Sequence, residues 1–278
     1  MRSGIRIALS AGMSGLHIQV TGTGPPLVLL HGWAMHGGVF GPLVARLRDR
    51  FTLHVVDLPG HGFSRDSGVP MTLAACADAI AAQVPLAPWC GWSLGGLVAL
   101  HAASRAATPV TRLAMVCASP RFVRSGDHGD PWPYAVSAEV FSDFADGLRS
   151  DYRGTLERFV ALEAFGSDHA KDEMRALRDD LLTRGAPTAD VLADGLRVLQ
   201  TADLRAAVQG LTMPSLWLAG RRDRLVDPRA MQAAAAMAPR ARFHVVEHAG
   251  HAPFLTHADA VATQLVSFLD DDTSGVDA

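Results

Sequence analysis

The sequence predicts an α/β protein with a mostly parallel sheet, helices on both faces and a helical insertion. Short, nearly continuous apolar runs occur at residues 26–30, 51–56, 87–92, 112–117, 215–220 and 242–246. Helical patterns separate them, and strands covered by helices on both faces have this apolar character. The alternation stops after Cys117 and resumes near Met213. We therefore expect the chain between these two points to form a helical cap.

Within the insertion, apolar residues such as Phe141, Phe144 and Leu148 recur three or four positions apart, which is typical of helices. A polar stretch rich in Gly and Pro, at residues 121–133, leads into it. The end of the chain lacks apolar residues, so we expect it to be disordered. The predicted divisions are a core of residues 1–118 and 206–270, a linker and cap of residues 119–205, and a tail of residues 271–278.

Composition limits the classes of partner. The chain has 278 residues, 49% of them hydrophobic, and a net charge of only −3, which argues against a nucleic-acid partner. No apolar run approaches the roughly 20 residues of a membrane span. The three cysteines, Cys76, Cys90 and Cys117, lie far apart in apolar surroundings and predict buried free thiols. We expect a cytoplasmic monomer that binds neither nucleic acid nor membrane.

A serine lies between two glycines where the strand at residues 87–92 gives way to a helix. Residues 91–95 read G-x-S-x-G, the pattern of a nucleophile elbow, in which a strained turn exposes the serine. Ser93 is the candidate nucleophile, and the N–H of Leu94 at the helix start is a candidate oxyanion donor. The same pattern also occurs in ordinary helix-starting turns. A nucleophile further requires a base, an acid and a second donor.

The second donor is expected directly after the strand at residues 26–30. His31, Gly32 and Trp33 follow that strand at the same edge of the sheet as Ser93. Gly32 lets the backbone turn, and the N–H of Trp33 is the candidate donor. His31 precedes the elbow, so we expect it to brace this turn and not to act as the base.

The acid and the base are expected after the serine, in that order. Asp223 follows the strand at residues 215–220, whereas Asp227 precedes a proline and is typical of a helix N-cap. His251 lies in the loop between the strand at residues 242–246 and the last helix, and His248 is the alternative. We take Asp223 as the acid and His251 as the base, a scheme that needs no metal or organic cofactor.

Several segments resemble the α/β-hydrolase family and occur in its order: LLHGW, DLPGHGFS, GWSLGG, GRRDRLVDP and GHAPF. More narrowly, FTLHVVDLPGHGFS and the cap stretches TLERFVAL and EMRALRDD resemble the family of pimeloyl-acyl carrier protein methyl ester esterases of biotin synthesis. The resemblance implies hydrolysis of the methyl ester on a pimeloyl chain that acyl carrier protein holds. Acyl carrier protein is then the expected partner, and methanol the second product.

The resemblance also implies the contacts of the substrate and of its carrier. The implied substrate-binding residues are Trp33, Ser93, Leu94, Phe159, Val160, Ala161, Leu162, Glu163 and His251. The implied carrier-binding residues are Arg158, Lys171, Arg175 and Arg178. Gly154 stands where another basic residue is expected, with Arg153 beside it.

A helical projection places Lys171, Arg175 and Arg178 on one stripe, at i, i+4 and i+7. Such a stripe is also typical of an ordinary solvated helix face, and the cap carries acids nearby, including Asp168 and Asp172. The pattern alone therefore leaves both interpretations open.

Two other functions fit the same motifs. One is a different serine hydrolase on this scaffold, either a general short-chain carboxylesterase or a C–C bond hydrolase. The other is a non-catalytic protein that keeps the pocket to bind a ligand. Dehalogenases and epoxide hydrolases resemble this fold but place an aspartate where Ser93 stands.

Overall fold

The structure, a computed structural model, describes residues 15–124, 132–164, 167–181 and 183–271. Residues 1–14 of the predicted core and residues 125–131 of the predicted linker lie outside the described residues. The predicted tail also lies outside them, except for residue 271. Across the four described ranges, no helix has the length and apolar character to cross a membrane.

One sheet of seven strands organises the described part of the chain. Its strands are β1 Ile18–Gly22, β2 Pro26–Leu30, β3 Thr52–Val56, β4 Ala87–Trp92, β5 Val110–Val116, β6 Ser215–Gly220 and β7 Ala241–Val246. The spatial order is β1-β3-β2-β4-β5-β6-β7. Strand β1 runs antiparallel to β3, and every other neighbouring pair is parallel. The predicted fold class and all six predicted strands are confirmed, and β1 is an additional edge strand.

The α-helices occupy the connections between the strands. They are α1 Gly41–Leu47, α2 Leu73–Ala81, α3 Leu94–Ala103, α4 Ala138–Ser150, α5 Tyr152–Ala164, α6 Ala170–Leu181, α7 Ala189–Thr201, α8 Arg205–Gln209, α9 Pro228–Met237, α10 Pro253–Thr256 and α11 Ala258–Asp270. Helix α3 packs on β4 and β5, whereas α9 and α11 pack on β6 and β7. Consecutive residues of β4 and β6 are buried, and because they point to opposite faces, both faces of the sheet are covered.

Helices α4 to α7 lie in the chain between β5 and β6 and pack on one another, and the short helix α8 follows them before β6. Their amphipathic sequences bury residues such as Phe141, Leu156, Leu177 and Leu196. Helix α6 also contacts α10, which follows the last strand. The insertion is therefore tied to the core near the carboxyl ends of the strands.

The strand order reverses between β2 and β4. Strand β3 lies on one side of β2, and β4 lies on the other, with Leu30 paired to Gly91. In open α/β sheets, the loops at such a switch point diverge and leave a crevice in which ligands bind. The turn after β2 and the turn after β4 meet at this point, and they carry Trp33 and Ser93.

Candidate active site

Ser93 occupies a strained corner between β4 and α3. Its backbone has φ 53° and ψ −119°, a conformation that costs a non-glycine residue about 1–3 kcal/mol. A Cβ atom at Gly91 would overlap the backbone of Gly95, and one at Gly95 would overlap the backbone of Leu30. The two glycines therefore allow α3 to approach β4 and β2, and the corner holds Ser93 at the end of its strand.

The turn after β2 lies directly beside the serine. A Cβ atom at Gly32 would lie 3.1 Å from the Cβ of Ser93, so a side chain there would crowd the corner. The backbone N–H of Leu94 is the first of α3, and no preceding helical turn accepts it. Both positions predicted to supply oxyanion donors, Trp33 and Leu94, thus flank Ser93, and both side chains are fully buried.

His31 braces this turn through both ring nitrogens. Its Nε2 accepts from the N–H of Leu58 at 2.9 Å, so Nδ1 carries the proton and donates to the carbonyl of Gly32 at 2.8 Å. Burial lowers the pKa of His31 well below its usual value. A neutral ring with both nitrogens occupied has none left to accept a proton from Ser93.

Asp223 and His251 meet at the ends of neighbouring strands. Asp223 follows β6 and His251 follows β7, and Nδ1 of the histidine lies 2.7 Å from Oδ2 of the aspartate. The other carboxylate oxygen, Oδ1, accepts from the N–H groups of Leu225 at 2.8 Å and Val226 at 2.9 Å. Because Nδ1 faces the carboxylate, Nε2 is the nitrogen available for a reacting proton.

Nε2 of His251 is buried and has no hydrogen-bond partner among the residues that the structure describes. The hydroxyl of Ser93 therefore does not bond to it here, and such bonds in enzymes without substrate are often long. The indole N–H of Trp92, the residue before the serine, donates to the carbonyl of His251 at 2.8 Å. On the cap side, the N–H of His251 donates to the carbonyl of Glu163 at 3.3 Å. The histidine is thus held between the core and the cap.

The two alternatives weighed from the sequence have other partners. His248 is exposed, and its Nδ1 lies 2.9 Å from a carboxylate oxygen of Asp168. Asp227 caps α9 by accepting from the N–H of Arg229 at 2.8 Å, which confirms the predicted N-cap. Neither residue takes part in the pair formed by Asp223 and His251.

Cys117 is buried against this pair. Its Sγ lies within 4.8 Å of ligand atoms of Asp223 and His251, the only group of three potential metal ligands within the described ranges. Burial, followed by the charge of Asp223, raises the pKa of the thiol well above its usual value, so the thiol is protonated at neutral pH. A metal ion would require a thiolate and a histidine released from Asp223. Like Cys76 and Cys90, Cys117 is a buried free thiol, as predicted.

An aromatic cluster joins the cap to the turn after β2. The ring of Trp33 packs edge-on against Phe159, with centroids 4.5 Å apart, and Phe144 lies 5.8 Å from Phe159. The indole N–H of Trp33 donates to the carbonyl of Leu192 in α7 at 2.9 Å. These contacts fix the side chain of a residue whose backbone flanks Ser93.

The segment implied to contact the substrate is distributed around α5. Phe159 and Val160 are buried, Ala161 and Leu162 are partly exposed, and Glu163 is fully buried. Successive residues of a helix point about 100° apart, so these five side chains face different surroundings. The structure brings Phe159 to Trp33 and brings the backbone of Glu163 to His251.

The carboxyl group of Glu163 has neither oxygen hydrogen-bonded in the part of the chain that is described. Burial raises the pKa of Glu163 well above its usual range, and the charges of Asp223 and Glu173 raise it further. Burial without a hydrogen-bond partner among the described residues thus favours the neutral form of this carboxylic acid.

The four residues implied to bind the carrier lie on two neighbouring helices. Lys171, Arg175 and Arg178 are exposed on α6, and Arg175 lies 3.9 Å from Asp172. Arg158, on α5, donates to the hydroxyl of Thr155 at 2.7 Å and forms an exposed ion pair with Asp151 at 3.5 Å. Exposed pairs of this kind contribute little stability, so the cations remain available to a partner.

Gly154, where a further basic residue was expected, lies in the first turn of α5, close to Asp151. Its N–H donates to Oδ1 of Asp151 at 3.0 Å, and a Cβ atom at this position would overlap that carboxylate. Arg153 lies 3.7 Å from Glu157. The capping contact of Asp151 explains why a residue without a side chain suits position 154.

The sequence pattern of the alpha/beta hydrolase fold family matches residues 25–258. The chain belongs to the α/β-hydrolase family. Among solved structures, this α/β-hydrolase is similar to the enol-lactonase from Burkholderia xenovorans LB400, with a TM-score of 0.77 and 25% identity over 91% of this chain and 96% of that one. A hydrolase from Oleispira antarctica has a TM-score of 0.80 at 19% identity over 92% and 94% of the two chains, a likeness of fold alone.

Curated relatives are more similar in sequence. The chain is 58% identical over 255 residues to the pimeloyl-[acyl-carrier protein] methyl ester esterase of Stenotrophomonas maltophilia (strain K279a), covering 91% of this chain and 96% of that protein. It is 56% identical to the protein of the same name from Xanthomonas campestris pv. campestris (strain B100), covering 91% and 98%.

Asp57 is a part of this α/β-hydrolase that sequence analysis did not single out. It follows β3 and is fully buried, and its Oδ1 accepts from the N–H of Gly37 at 2.7 Å. Arg184, in the loop after α6, donates to both carboxylate oxygens at 3.0 and 3.2 Å. The position of Asp57 directly after a buried strand could have marked it as a candidate site residue. No sequence pattern marked Arg184. Their ion pair fixes the insertion to the core.

Proposed function

We propose that this protein is a serine carboxylesterase that hydrolyses the methyl ester of pimeloyl-acyl carrier protein, giving pimeloyl-acyl carrier protein and methanol. The observation that carries the proposal is the 58% identity to a pimeloyl-[acyl-carrier protein] methyl ester esterase over 91% of this chain. A match of that coverage takes in most of the predicted cap, residues 119–205. Specificity on a shared fold depends on the site and its surroundings, so a match that includes the cap supports the same substrate.

In the proposed acylation, Nε2 of His251 takes the hydroxyl proton of Ser93 while Oγ attacks the ester carbonyl carbon. The backbone N–H groups of Trp33 and Leu94 donate to the oxyanion that forms, and one such donor contributes roughly 3–4 kcal/mol. His251 then gives the proton to the methoxy oxygen, and the C–O bond breaks. Methanol leaves, and the pimeloyl group remains as an ester on Ser93.

In the proposed deacylation, a water molecule gives a proton to Nε2 of His251 and adds to the acyl carbon. The oxygen of Ser93 leaves with that proton, and the new carboxylic acid ionises in water. Asp223 keeps the proton of His251 on Nδ1 and stabilises the imidazolium formed in each half. No metal or organic cofactor takes part.

We further propose that the pimeloyl chain lies along the aromatic cluster between the core and the cap. The buried rings of Trp33 and Phe159 support this placement, with Leu94, Val160, Ala161, Leu162 and Glu163 completing the contact. The exposed cations Arg158, Lys171, Arg175 and Arg178 would hold the acidic carrier, because complementary charge favours its encounter. We also propose that the protein acts as a monomer, since the proposed mechanism requires no residue from a second chain.

The first test measures methanol release from pimeloyl-acyl carrier protein methyl ester. Ser93→Ala is expected to lower the rate by more than about 10⁴-fold. Ser104→Ala, which removes an exposed serine just after α3, is the matched control and should retain the wild-type rate. Release by Ser93→Ala at more than a tenth of the wild-type rate would overturn the mechanism.

The second test separates the carrier substrate from a free short-chain ester. Changing Arg158, Lys171, Arg175 and Arg178 to glutamine should raise KM for the carrier substrate about tenfold or more, most strongly at low salt. The free ester should be unaffected. The control variant changes four exposed arginines of the core, Arg46, Arg48, Arg50 and Arg105. If both variants had the same KM as wild type for both substrates, the result would favour a general short-chain carboxylesterase.

A further inference from the structure

Glu173 is a fully buried acid on α6 that the proposed chemistry does not use. Its Oε1 accepts from the hydroxyl of Ser167 at 2.7 Å and from the hydroxyl of Thr256 at 2.6 Å. Ser167 lies in the loop before α6, within the cap insertion. Thr256 ends α10, a short helix that begins two residues after His251. One carboxyl oxygen thus connects the cap to residues 248–256, which carry the candidate base and are called the His251 segment below.

The second oxygen of Glu173 lies against the residue before His251. A Cβ atom at Gly250 would be 3.4 Å from Oε2 of Glu173 and 3.2 Å from the Cβ of Ser167. Position 250 therefore has little room for a side chain, and its backbone packs against the acid. Oε2 has no hydrogen-bond partner within the residues described.

Backbone hydrogen bonds from the cap reach the same segment on either side of Gly250. The carbonyl of Glu163 accepts from the N–H of His251 at 3.3 Å, and the N–H of Asp168 donates to the carbonyl of His248 at 3.3 Å. Of the cap residues that make these contacts, Glu173 is the one whose buried side chain reaches two separate parts of the His251 segment. These parts are Gly250 and Thr256.

Packing alone does not explain an acid at this position. Burial raises the pKa of Glu173, and the hydrogen bonds from Thr256 and Ser167 oppose that change. An apolar side chain of similar size would avoid the desolvation of a carboxyl group. It would also remove the acceptor that the two hydroxyls share, and among the described residues Thr256 would keep only the neighbouring Nδ1 of His257, at 2.9 Å. The acid supplies one oxygen that accepts hydrogen bonds from two hydroxyls, one in the cap and one at the end of α10.

We propose that Glu173 is a positioning residue that fixes the His251 segment against the cap and so directs Nε2 of His251 toward Ser93. The inference rests on the proposed role of His251 as the base. Glu173 acts through Thr256 and Gly250 and does not touch the ester. Helix α6 also carries the exposed cations Lys171, Arg175 and Arg178, so the proposed carrier face and the group that holds the base belong to one helix.

The test compares four variants in the hydrolysis of a short-chain p-nitrophenyl ester, with kcat expressed per active site titrated by a fluorophosphonate. Glu173→Ala and Thr256→Val remove the contact, and each should lower kcat about tenfold to a hundredfold, since displacement by about 1 Å has that effect. Glu173→Gln and Thr256→Ser keep an oxygen acceptor and a hydroxyl. They should retain kcat within about threefold of wild type. KM should change little in all four.

Asp179→Asn is the control, because it removes an acidic charge from an exposed position of the same helix. Thermal unfolding establishes that each variant is folded at the assay temperature. If Glu173→Ala is unfolded, the comparison of Thr256→Val with Thr256→Ser tests the inference. Wild-type kcat per titrated site in Glu173→Ala and Thr256→Val would overturn the inference while leaving the esterase proposal intact. Hydrolysis that does not depend on Ser93 would instead overturn the proposed function.

Discussion

Replacing Gly195 by alanine is expected to lower turnover while the protein stays folded. Gly195 lies in α7, and a Cβ atom there would be 2.7 Å from Cδ1 of Trp33 and 3.5 Å from Cδ2 of Leu94. Carbon atoms in contact lie about 3.5–4.0 Å apart, so Trp33 or α7 has to move by about 1 Å. The indole is confined by Phe159, 4.5 Å away between ring centroids, and by its 2.9 Å bond to the carbonyl of Leu192. We therefore expect part of the displacement to reach the backbone of Trp33.

Two opposing effects set the stability of this variant. Alanine favours an interior helical position over glycine by about 1 kcal/mol, whereas overpacking destabilises by about 1–3 kcal/mol. The net loss is at most about 2 kcal/mol, and domains have about 5–15 kcal/mol. The loss of one oxyanion donor is worth roughly 3–4 kcal/mol, and a displacement of about 1 Å lowers the rate about a hundredfold. We therefore expect kcat/KM to fall about tenfold to a hundredfold.

The assay is steady-state hydrolysis of a short-chain p-nitrophenyl ester, with urea unfolding in parallel. Gly41→Ala is the control, because a Cβ atom at the start of α1 has no neighbour within 4 Å. A Gly195→Ala variant with kcat/KM within about twofold of wild type would refute the link between the cap and the oxyanion donors.

Three further predictions concern the acid, the ion pair and a buried histidine. Asp223→Asn should lower kcat about 10⁴-fold, because the amide does not hold the required tautomer of the histidine, and a loss below tenfold would contradict the assigned role. Arg184→Ala leaves the fully buried Asp57 without its cation and should lower the free energy of unfolding in urea by about 3–5 kcal/mol. A loss under about 1 kcal/mol would show that the pair does not hold the insertion to the core. Burial lowers the pKa of His61 from 6.5 to about 4, so the unfolded chain binds more protons between these values. The contribution of neutral His61 to the free energy of unfolding is complete above pH 6.5 and falls by about 3 kcal/mol as the pH drops toward 4. If the stability of His61→Gln depended on pH as wild type does, His61 would not be the cause of this loss.

The parallel strands could be predicted from sequence because strands covered on both faces are short apolar runs. Residues 26–30 and 215–220 have the bounds of β2 and β6. Strand β1 was missed because it lies at the edge of the sheet, where none of its five residues is fully buried and no continuous apolar run is required. Its residues alternate in character, and Val20 is 52% exposed.

The position of the candidate triad could also be predicted from the sequence. Ser93, Asp223 and His251 each follow a strand, and parallel strands end at one edge of the sheet. That rule places the residues in neighbouring loops without any knowledge of the cap. The hydrogen bond between Asp223 and His251 is consistent with it.

Contacts between the cap and the core could not be predicted in this way. Arg184 and Asp57 are 127 residues apart in the chain, and Glu173 and Thr256 are 83 residues apart. Each contact depends on how α6 and its flanking loops pack on the core, and no local pattern encodes that geometry. The same holds for Cys117, an apolar strand-end residue by pattern, which packs beside Asp223.

Mass spectrometry of the protein after reaction with a fluorophosphonate tests directly whether Ser93 is the nucleophile. This probe labels a serine that a neighbouring base has activated. We expect one adduct per chain, located by peptide mapping on Ser93, and none in Ser93→Ala. The exposed control Ser104→Ala should be labelled like wild type. An adduct on another residue, or an unlabelled wild-type protein that still hydrolyses the methyl ester, would contradict the role of Ser93 as the nucleophile.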